Sequence, residues 1–330
     1  MVKTFYITGI TGFLGHNFVR NVASEDIKII GFALPGDRNI NLLKSYPNVS
    51  IVEGNILNPN DVYNFLNKPG EGQKYLIHIA GKITTVKEGD PSVMEINFNG
   101  TKNIVNEAIR HHFEKIIYIS SVDSLPRSKG LESIVEPDKY EVEKVVGIYS
   151  RSKVLSNNYV LEKCPNGILI LPSAIVGPYD TTNSPINAAL EKTIRGKFPA
   201  LTDGGYNLVD VRDVAEAIKL AIEKGKPRTS YIISGENISI KDLISYTAEY
   251  AGQKIPKLVV PHSLIKLISP FIEAKAKAKH KTPLFTGFSM DCLKQNSNYS
   301  YKKAKEELGY NPRPLKQTLR ETIDWLKSRN

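Results

Sequence analysis

Apolar and polar residues follow two different patterns along the first half of the chain. Short runs rich in β-branched and aromatic residues predict strands, and these runs are TFYITG, IKIIGFAL, VSIVEGN, KYLIHIAG, KIIYISS and GILILPSAIVG. Segments with helical periodicity lie between them, notably GFLGHNFVRNVASE, DPSVMEINFNGTKNIVNEAIRHH and KYEVEKVVGIYSRSKVLSNNYVLEK. Nearly continuous apolar strands separated by helices are typical of parallel strands covered on both faces. The pattern therefore predicts an α/β fold built on a doubly wound parallel sheet, with a ligand site at the carboxyl ends of its strands.

The pattern changes after the segment GPYD. Only YIIS then reads as a further buried strand, and most of the remainder is helix, loop and proline. The segment VDVRDVAEAIKLAIEKG predicts a helix that returns to the sheet. We therefore expect a core formed by residues 1–178 and 207–234. A smaller, mostly helical lobe, formed by residues 179–206 and 235–330, would close over the carboxyl edge of the sheet.

Three glycines, Gly9, Gly12 and Gly15, form the pattern GxxGxxG between the first predicted strand and the first amphipathic helix. In a dinucleotide site one glycine permits the turn, a second lets the backbone approach the pyrophosphate, and a third lets the helix pack on the strand. Such a site places an acidic residue on the adenine ribose about 20 residues later, but here that strand ends FALPGDR. Asp37 would accept the 2′-hydroxyl of NAD, whereas Arg38 would bind the 2′-phosphate of NADP. Both cofactors stay open, with a slight preference for NADP.

A tyrosine and a lysine lie four residues apart in YSRSK, so a helix places Tyr149 and Lys153 on the same face. The pKa of a free phenol, near ~10, is too high for efficient proton exchange at neutral pH. A nearby ammonium group and an oxidised nicotinamide would both lower that pKa. The run YISS ends at Ser121, at the carboxyl end of a predicted strand, where a hydroxyl would hold the substrate oxygen. Together with the glycine turn, these residues predict an acid–base site beside a nicotinamide cofactor.

These motifs resemble those of the extended short-chain dehydrogenase/reductases. The spacing TGxxGxxG, here Thr8 to Gly15, is the one typical of that family. Further similar segments are HIAG (78–81), INFNGTKNIVNEA (96–108), LPSAIVGP (171–178), VDVRDVAEAI (209–218) and KKAKEELGYNPRPLKQTL (302–319). The resemblance covers nearly the whole chain. It implies an NAD(P)-binding Rossmann core, a substrate-binding C-terminal lobe, and a homodimer formed through the helices that carry the GTxN and YxxxK segments.

The resemblance implies a role for each matching residue. Tyr149 is the expected acid–base group, Lys153 binds the nicotinamide ribose and tunes the tyrosine, and Ser121 orients the reacting oxygen. Asn97 supports the proton relay, and Asn55 replaces the aspartate that usually contacts the adenine amine, although its side-chain carbonyl can still accept that hydrogen bond. The expected cofactor contacts are Gly9, Thr11, Gly12, Phe13, Leu14, Gly15, Asp37, Arg38, Asn55, Ile56, Ala80, Gly81, Lys82, Tyr149, Lys153, Pro172 and Ile175.

Three local comparisons indicate which reaction to expect. Dehydratases of the family resemble STDE at the active strand, whereas this chain has SSVD, with Val122 where elimination needs a titratable group. Sugar-nucleotide epimerases resemble RDYIHV before the returning helix, whereas here Tyr206 replaces the arginine that would clamp a diphosphate. The VYG of the sugar enzymes is replaced by SLP. The segments PSAIVGPYD and GGYNLVDVRDVAEAI instead resemble bacterial proteins similar to dihydroflavonol 4-reductase.

The sequence therefore predicts a carbonyl reductase that acts on a small, non-nucleotide ketone or aldehyde. A nucleotide-sugar 4-epimerase stays open if Arg195 or Lys197 holds the diphosphate. A non-catalytic nucleotide-sensing or RNA-binding relative is a third hypothesis, which the presence of Ser121, Tyr149 and Lys153 disfavours.

Charge, hydropathy and cysteine content indicate which partners and which cellular compartment to expect. The net charge is +10, but the lysines are not interleaved with aromatic residues, so the densest cluster, EAKAKAKHK at 273–281, predicts a solvated helix face rather than a nucleic-acid site. No apolar run reaches the roughly 18 residues of a membrane span, and the first strand begins too early for a signal peptide. Cys164 and Cys292 lack metal-ligand spacing, which predicts reduced thiols in a cytoplasmic protein and no metal. The apolar face of HSLIKLISPFIEA (262–274) predicts core packing or lining of the substrate pocket.

Overall fold

The structure is a computed structural model. It describes residues 2–23, 26–88, 90–127, 130, 132–261, 263–265, 267, 269 and 286–329. The basic helix face predicted at 273–281 lies outside these residues, and so does most of the apolar helix predicted at 262–274.

Seven parallel strands form the main sheet. The described strands are β1 (Lys3–Thr8), β2 (Ile27–Ala33), β3 (Val49–Glu53), β4 (Gln73–His78), β5 (Lys115–Ile119), β6 (Gly167–Pro172), β7 (Ala174–Val176), β8 (Gly205–Asp210), β9 (Thr229–Ile233) and β10 (Glu236–Ser239). The main sheet has the order β3-β2-β1-β4-β5-β6-β9, and all its neighbouring strands are parallel. The strand order reverses between β1 and β4, which is where doubly wound sheets bind their ligands. The predicted sheet is confirmed.

Helices cover both faces of this sheet. The described helices are α1 (Phe13–Val22), α2 (Ile40–Leu43), α3 (Pro59–Leu66), α4 (Ser92–Met94), α5 (Gly100–Arg110), α6 (Ile148–Lys163), α7 (Pro185–Ile194), α8 (Val211–Lys224), α9 (Ile240–Ala251), α10 (Gly287–Leu293), α11 (Lys302–Leu308) and α12 (Leu315–Ser328). A π-helical turn, Glu95–Asn99, joins α4 to α5. Short 3₁₀ turns occupy Val122–Ser124 and Val142–Lys144.

Successive residues of each central strand point into different layers. In β1, Phe5 and Ile7 belong to the hydrophobic cluster that α1, α8 and α11 cover, whereas Tyr6 belongs to the cluster that α3, α5 and α6 cover. Side chains alternate between the two faces of a strand, so a strand buried on both faces reads as a continuous apolar run. This explains why the sequence pattern located the strands of the main sheet.

A second, three-stranded sheet was not predicted. Its order is β10-β8-β7, with β7 parallel and β10 antiparallel to β8. The run GILILPSAIVG, which predicts one strand, is divided at Ser173, so that β6 ends in the main sheet and β7 begins in the second. The prediction that YIIS is the only strand after GPYD is therefore wrong. The small sheet is short and half-buried, so its strands lack the continuous apolar pattern.

The C-terminal region packs against this second sheet. Leu190 of α7, Leu243 of α9 and Ile323 of α12 share one hydrophobic cluster with residues of β7 and β8. Among the described helices, none combines the length and the hydropathy needed to cross a bilayer. Cys164 and Cys292 are both free thiols, as the sequence predicts.

Candidate active site

The three glycines form a tight turn between β1 and α1. Gly9 has a φ of +68°, and a Cβ there would lie only 2.8 Å from the backbone nitrogen of Ala80. A Cβ on Gly15 would lie 2.2 Å from the carbonyl oxygen of Gly9, so only glycine lets α1 pack this close to the strand. Gly12 precedes α1, and its amide nitrogen donates to the Gly9 carbonyl at 3.1 Å. The turn thus has the local geometry of a dinucleotide-binding loop.

The amino end of α1 fits a pyrophosphate. Gly12 provides no side-chain cap, and the first turn of α1 carries no acidic residue. The amide groups there retain their hydrogen-bonding capacity, and the helix dipole adds a partial positive charge. A Cβ built on Gly12 would meet only the Gly9 carbonyl oxygen, so the side facing outward is open to a ligand. Thr11, Phe13 and Leu14, which the resemblance assigns to the cofactor, border this end.

The loop after β2 stands next to the glycine turn. The side-chain amide of Asn39 donates to the carbonyl of Thr11 at 3.3 Å and ties the two loops together. Asp37 accepts a hydrogen bond from the Asn39 backbone nitrogen at 2.9 Å, and Arg38 is exposed. Both side chains therefore lie where an adenine ribose would be bound, and the choice between NAD and NADP stays a prediction.

The predicted adenine contacts lie at the end of β3. The side-chain carbonyl of Asn55 accepts a hydrogen bond from the backbone nitrogen of Leu57 at 2.9 Å. A carbonyl oxygen has two lone pairs, so one stays available for an adenine amine. The neighbouring Ile56 is buried, and its carbonyl accepts from the Asn103 side chain at 2.9 Å.

The loop after β4 brings three predicted residues, Ala80, Gly81 and Lys82, beside the glycine turn and the lysine. The amide side chain of Asn97 accepts from the Lys82 backbone nitrogen at 2.7 Å and donates to the Lys82 carbonyl at 3.0 Å. A Cβ on Gly81 would lie 3.2 Å from Asn97 Oδ1 and 3.5 Å from Lys153 Nζ. Asn97 therefore positions this loop, while its part in a proton relay stays a prediction.

Pro172 and Ile175 lie on either side of the change from one sheet to the other, at the end of β6 and in the middle of β7. Between them the buried hydroxyl of Ser173 has no hydrogen-bond partner within the described part of the chain. Such a group has hydrogen-bonding capacity to spare for a ligand. Together with the glycine cradle, this hydroxyl means that the residues present fit a dinucleotide, while the contacts of Pro172 and Ile175 with the nicotinamide stay a prediction.

The three predicted catalytic residues converge at the carboxyl end of β5. Ser121 lies two residues after the end of this strand, and its hydroxyl is close enough to the Tyr149 hydroxyl to act on the pKa of the phenol. Lys153, one turn further along α6, lies with its Nζ 6.0 Å from the centroid of the Tyr149 ring. The ammonium group donates to the Ile119 carbonyl at 2.8 Å and to the Tyr118 hydroxyl at 3.2 Å. The side chains form one constellation, as the spacing predicts.

The pKa of the Tyr149 phenol is raised above its ordinary value. Burial is the largest cause, the negative charge of Asp123 and the neighbouring Tyr118 add to it, and the hydrogen bond from Ser121 acts in the opposite direction. The sequence predicts a lowered pKa, so the chain's own residues act in the other direction. The main physical reason is the burial of the phenol; in addition, a carboxylate lies near it and Lys153 is directed at the Ile119 carbonyl.

α6 begins at Ile148, later than its sequence pattern predicts. Gly147 before it has a φ of +98°, which ends the helical pattern, and the Ile148 amide donates to the Lys87 carbonyl at 2.9 Å. A Cβ on Gly147 would meet the Phe288 ring of α10 at 2.9 Å. The Thr286 hydroxyl, next to α10, donates to the carbonyl of Thr85 at 2.7 Å. α10 and the residue before it therefore contact the start of α6 and the loop at Thr85.

Two charged residues that the sequence analysis missed lie beside this constellation. The carboxylate of Asp123 lies 3.4 Å from the Ser121 hydroxyl and forms an ion pair with Arg127. The comparison with the dehydratase motif concerned Val122, one residue earlier, as the position of an acid. The available signal was the i,i+4 spacing of opposite charges directly after the active strand, although such spacing also occurs by chance.

A buried histidine connects the cofactor loops. His78 Nδ1 lies 2.6 Å from the Thr8 hydroxyl, and Nε2 lies 3.0 Å from the Thr101 hydroxyl. Thr8 accepts from the backbone nitrogen of Ala80 at 3.2 Å, and Thr101 donates to the carbonyl of Asn97 at 2.5 Å. These directions assign the proton of a neutral imidazole to Nε2. Burial, with the charge of Lys153 as a smaller cause, lowers the pKa of His78 to about 3.

Comparison with known proteins identifies the family. Residues 5–234 match the NAD dependent epimerase/dehydratase family. The chain belongs to this family. A putative dihydroflavonol 4-reductase of Synechocystis sp. is 29% identical to it over 99% of this chain and 96% of the relative. Sterol demethylase protein B of Methylococcus capsulatus is 25% identical over 99% of each chain. The structure is also similar to the crystal structure of gox2253, with a TM-score of 0.83 and 30% sequence identity. The match covers 99% of this chain and 98% of the gox2253 chain.

Membership in the epimerase/dehydratase family confirms the resemblance to extended short-chain dehydrogenase/reductases. The family description and the names of the relatives indicate an NAD(P)-dependent enzyme. The family includes both epimerases and dehydratases by description, so the reaction has to be argued from this chain's own site.

Proposed function

We propose that this member of the epimerase/dehydratase family is an NAD(P)H-dependent carbonyl reductase that acts on a small, non-nucleotide ketone or aldehyde. The observation that carries the proposal is that Ser121 and Tyr149 meet at the carboxyl edge of the sheet, with the Lys153 ammonium 6.0 Å from the centroid of the Tyr149 ring. The full-length similarity to a putative dihydroflavonol 4-reductase supports the reductase branch.

The side chains account for the proton that carbonyl reduction needs. Bound along the glycine turn, a reduced nicotinamide would supply the hydride. Ser121 and Tyr149 would donate hydrogen bonds to the carbonyl oxygen, and Tyr149 would pass its proton to that oxygen as the alcohol forms. The raised pKa of the phenol keeps this proton in place beforehand. The charge of Lys153 would then stabilise the phenolate.

A diphosphate clamp, which a sugar 4-epimerase needs, has weak support in this chain. Arg195 forms an ion pair with Glu191 at the surface of α7, and Lys197 is exposed. Arg127 lies close enough to Tyr206 to affect its pKa, but its charge is already matched by Asp123. A diphosphate is usually held by an arginine that donates two parallel hydrogen bonds to it and is not already paired with a carboxylate.

Oxidation of the reduced cofactor tests the proposal. The purified protein would be mixed with NADPH or NADH and a set of small ketones and aldehydes, and the absorbance of the reduced nicotinamide would be followed. We expect turnover with at least one carbonyl, and its loss in Tyr149→Phe. Interconversion of a UDP-sugar and its 4-epimer, with no oxidation by any carbonyl, would establish the epimerase instead.

We also propose that NADPH is preferred to NADH. Arg38 is exposed on the loop that Asn39 ties to the glycine turn, so its guanidinium is accessible to a 2′-phosphate. A planar guanidinium binds a phosphate through two parallel hydrogen bonds, which a ribose hydroxyl does not match.

A homodimer through α5 and α6 is our proposal for the assembly. Half-buried aromatic rings of Phe98 and Tyr159 meet edge to face at a centroid distance of 6.2 Å, and Lys102 lies over both rings. Aromatic residues of this kind are enriched at protein interfaces. Sedimentation velocity should give a dimer, and a strict monomer across the accessible concentration range would contradict the proposal.

A further inference from the structure

An ion pair stands next to the position of the reacting oxygen. Asp123 Oδ2 lies 3.4 Å from the Ser121 hydroxyl, and the other carboxylate oxygen binds the Arg127 guanidinium. The other terminal nitrogen of the guanidinium, Nη1, donates to the carbonyl of Cys292 near the end of α10, at 3.2 Å. The pair therefore connects Ser121 with α10.

Phenol groups surround this pair. The charge of Asp123 raises the pKa of Tyr206 and of Tyr299, each of which lies at about 12 with burial as the main cause. The positive charge of Arg127 acts in the opposite direction and lowers the pKa of both phenols. The environment is thus polar, although the groups around it are largely removed from water.

The pair is poorly explained by stability alone. The side chain of Arg127 is 20% exposed and that of Asp123 is 34% exposed, so both have lost much of their hydration while the carboxylate stays partly accessible. Removing charges from water costs several kcal/mol, and the attraction between them often fails to return more than that cost. The Ser121 hydroxyl accepts a hydrogen bond from the Asp123 backbone nitrogen at 3.1 Å. The turn after Ser121 is therefore stabilised without the Asp123 carboxylate.

The charge of the pair selects the kind of group that it can bind. Asp123 offers acceptor oxygens, Arg127 offers donor groups, and their charges cancel. A carboxylate or phosphate on the substrate would be repelled by Asp123 and would compete with it for Arg127. A neutral hydroxyl fits, because it donates to a carboxylate and accepts from a guanidinium at the same time.

The distances select where that hydroxyl lies on the substrate. A carbonyl oxygen held by Ser121 would be about 2.8 Å from the serine oxygen. Since Asp123 Oδ2 lies 3.4 Å from the same serine oxygen, a neighbouring group of the substrate can reach the carboxylate while the carbonyl oxygen is held by Ser121. A hydroxyl on the carbon next to the carbonyl satisfies this arrangement.

We propose that Asp123 and Arg127 form a subsite that binds a hydroxyl group on the carbon adjacent to the substrate carbonyl. The substrate is then an α-hydroxy ketone or α-hydroxy aldehyde rather than a wholly apolar ketone or a keto acid. This inference rests on the proposed carbonyl reduction.

Two ketones that differ only in this hydroxyl provide the test. We expect the kcat/KM of the wild-type protein for 3-hydroxybutan-2-one to exceed that for butan-2-one by about 10- to 100-fold, as for a hydrogen bond to a charged group. In Asp123→Asn the ratio should fall towards one. The same variant should also gain activity on 2-oxobutanoate, because Arg127 is then available to its carboxylate.

The ratio separates binding from folding, since both rates come from the same protein and a folding defect lowers them together. Asp26→Asn, at an exposed position before β2, is the matched control and should keep the wild-type ratio. Arg127→Lys keeps the positive charge without the planar fork and should lower the ratio in part.

The outcomes distinguish the two proposals. Turnover of both ketones with equal efficiency, or a ratio that stays unchanged in Asp123→Asn, would overturn the hydroxyl subsite and leave the reductase intact. Absence of cofactor oxidation with every carbonyl would overturn the proposed reductase and, with it, this inference.

Discussion

At the scale of single residues, the proposed active site combines a buried phenol whose pKa is raised with a cation that would stabilise the phenolate left after proton donation. Burial and Asp123 raise the pKa of Tyr149, and Lys153 is held by the Ile119 carbonyl and the Tyr118 hydroxyl. The position of the ammonium is thus fixed by the protein itself. Proton donation by Tyr149 and substrate orientation by Ser121 can therefore be separated by substitution.

Removal of one phenol oxygen tests the acid. Tyr149→Phe should lower kcat for carbonyl reduction by about 10²- to 10⁴-fold, the contribution of a positioned general acid. Affinity for the reduced cofactor, measured by fluorescence titration, should change little. Tyr250→Phe, at an exposed tyrosine of α9, should retain wild-type kinetics. Equal losses of kcat in the two variants would show that Tyr149 is not the acid.

Arg38 permits a test of cofactor choice. Arg38→Ala should raise the KM for NADPH by about 10- to 100-fold, because a charge-assisted hydrogen bond to the 2′-phosphate is lost. The KM for NADH should stay within about twofold. Steady-state kinetics with both cofactors measures this difference, and a parallel rise of the two constants would argue for a merely structural role.

At the scale of elements, one buried hydrogen-bond chain joins β1, β4 and α5. It runs from Thr8 through His78 to Thr101 and on to the carbonyl of Asn97, whose side chain holds the loop at Lys82. The π-helical turn is what brings Asn97 over this loop, because the extra residue in the turn changes the direction of the following side chains. Asn97 also donates to the Ser152 hydroxyl of α6 at 3.0 Å, so one network connects the end of β1 with the helix that carries Tyr149.

His78 gives the network a pH dependence. Its pKa is about 3 in the folded state, against an ordinary value near ~6.5 in the unfolded chain. Between these values the unfolded state binds a proton that the folded state does not, so the free energy of unfolding falls as the pH falls below about 6.5. One such group contributes at most about 1.4 kcal/mol per pH unit.

Urea unfolding at several pH values between 4 and 7 measures this slope. His78→Gln, which keeps a donor near the position of Nε2, should be less stable at pH 7 but should show a smaller loss towards low pH. His112→Gln, at a loop histidine after α5, serves as the control. An identical slope in wild type and His78→Gln would contradict the assignment of a neutral buried imidazole.

At the scale of the whole molecule, the C-terminal region is attached through the second sheet and through charged groups. Arg212 at the start of α8 contacts Asp210 and Glu321, and Arg313 contacts Asp213. Ile323 of α12 is fully buried in the cluster that covers β7 and β8. The position of α12 therefore depends on both apolar packing and ion pairs.

Truncation of Ile323 tests the apolar part of this attachment. Ile323→Ala should lower the free energy of unfolding by about 2–5 kcal/mol, the cost of a buried cavity. Ile109→Ala, at an exposed position of α5, should change it by less than about 0.5 kcal/mol. Chemical denaturation measures both values, and a similar small effect for the two variants would show that the α12 contact is dispensable.

The main sheet could be predicted because burial on both faces leaves a continuous apolar pattern, as in β1, β4 and β6. The second sheet could not, because β10 is short and its side chains are partly exposed. At the site, the glycine turn and the Tyr149–Lys153 spacing are local signals. The contact of Asp123 with Ser121 and Arg127 is set by the conformation of a loop, and the backbone at Gly147 depends on a partner that lies about 140 positions away in α10.

The packing of Phe288 against Gly147 has a consequence for the order of events during turnover. The same short helix supplies the Cys292 carbonyl to Arg127 and follows the Thr286 contact with Thr85. A displacement of α10 that admits substrate would remove a neighbour from the start of the tyrosine helix at the same moment. Enclosure of the substrate and alignment of Tyr149 would then occur together, so the protein with α10 displaced would be inactive.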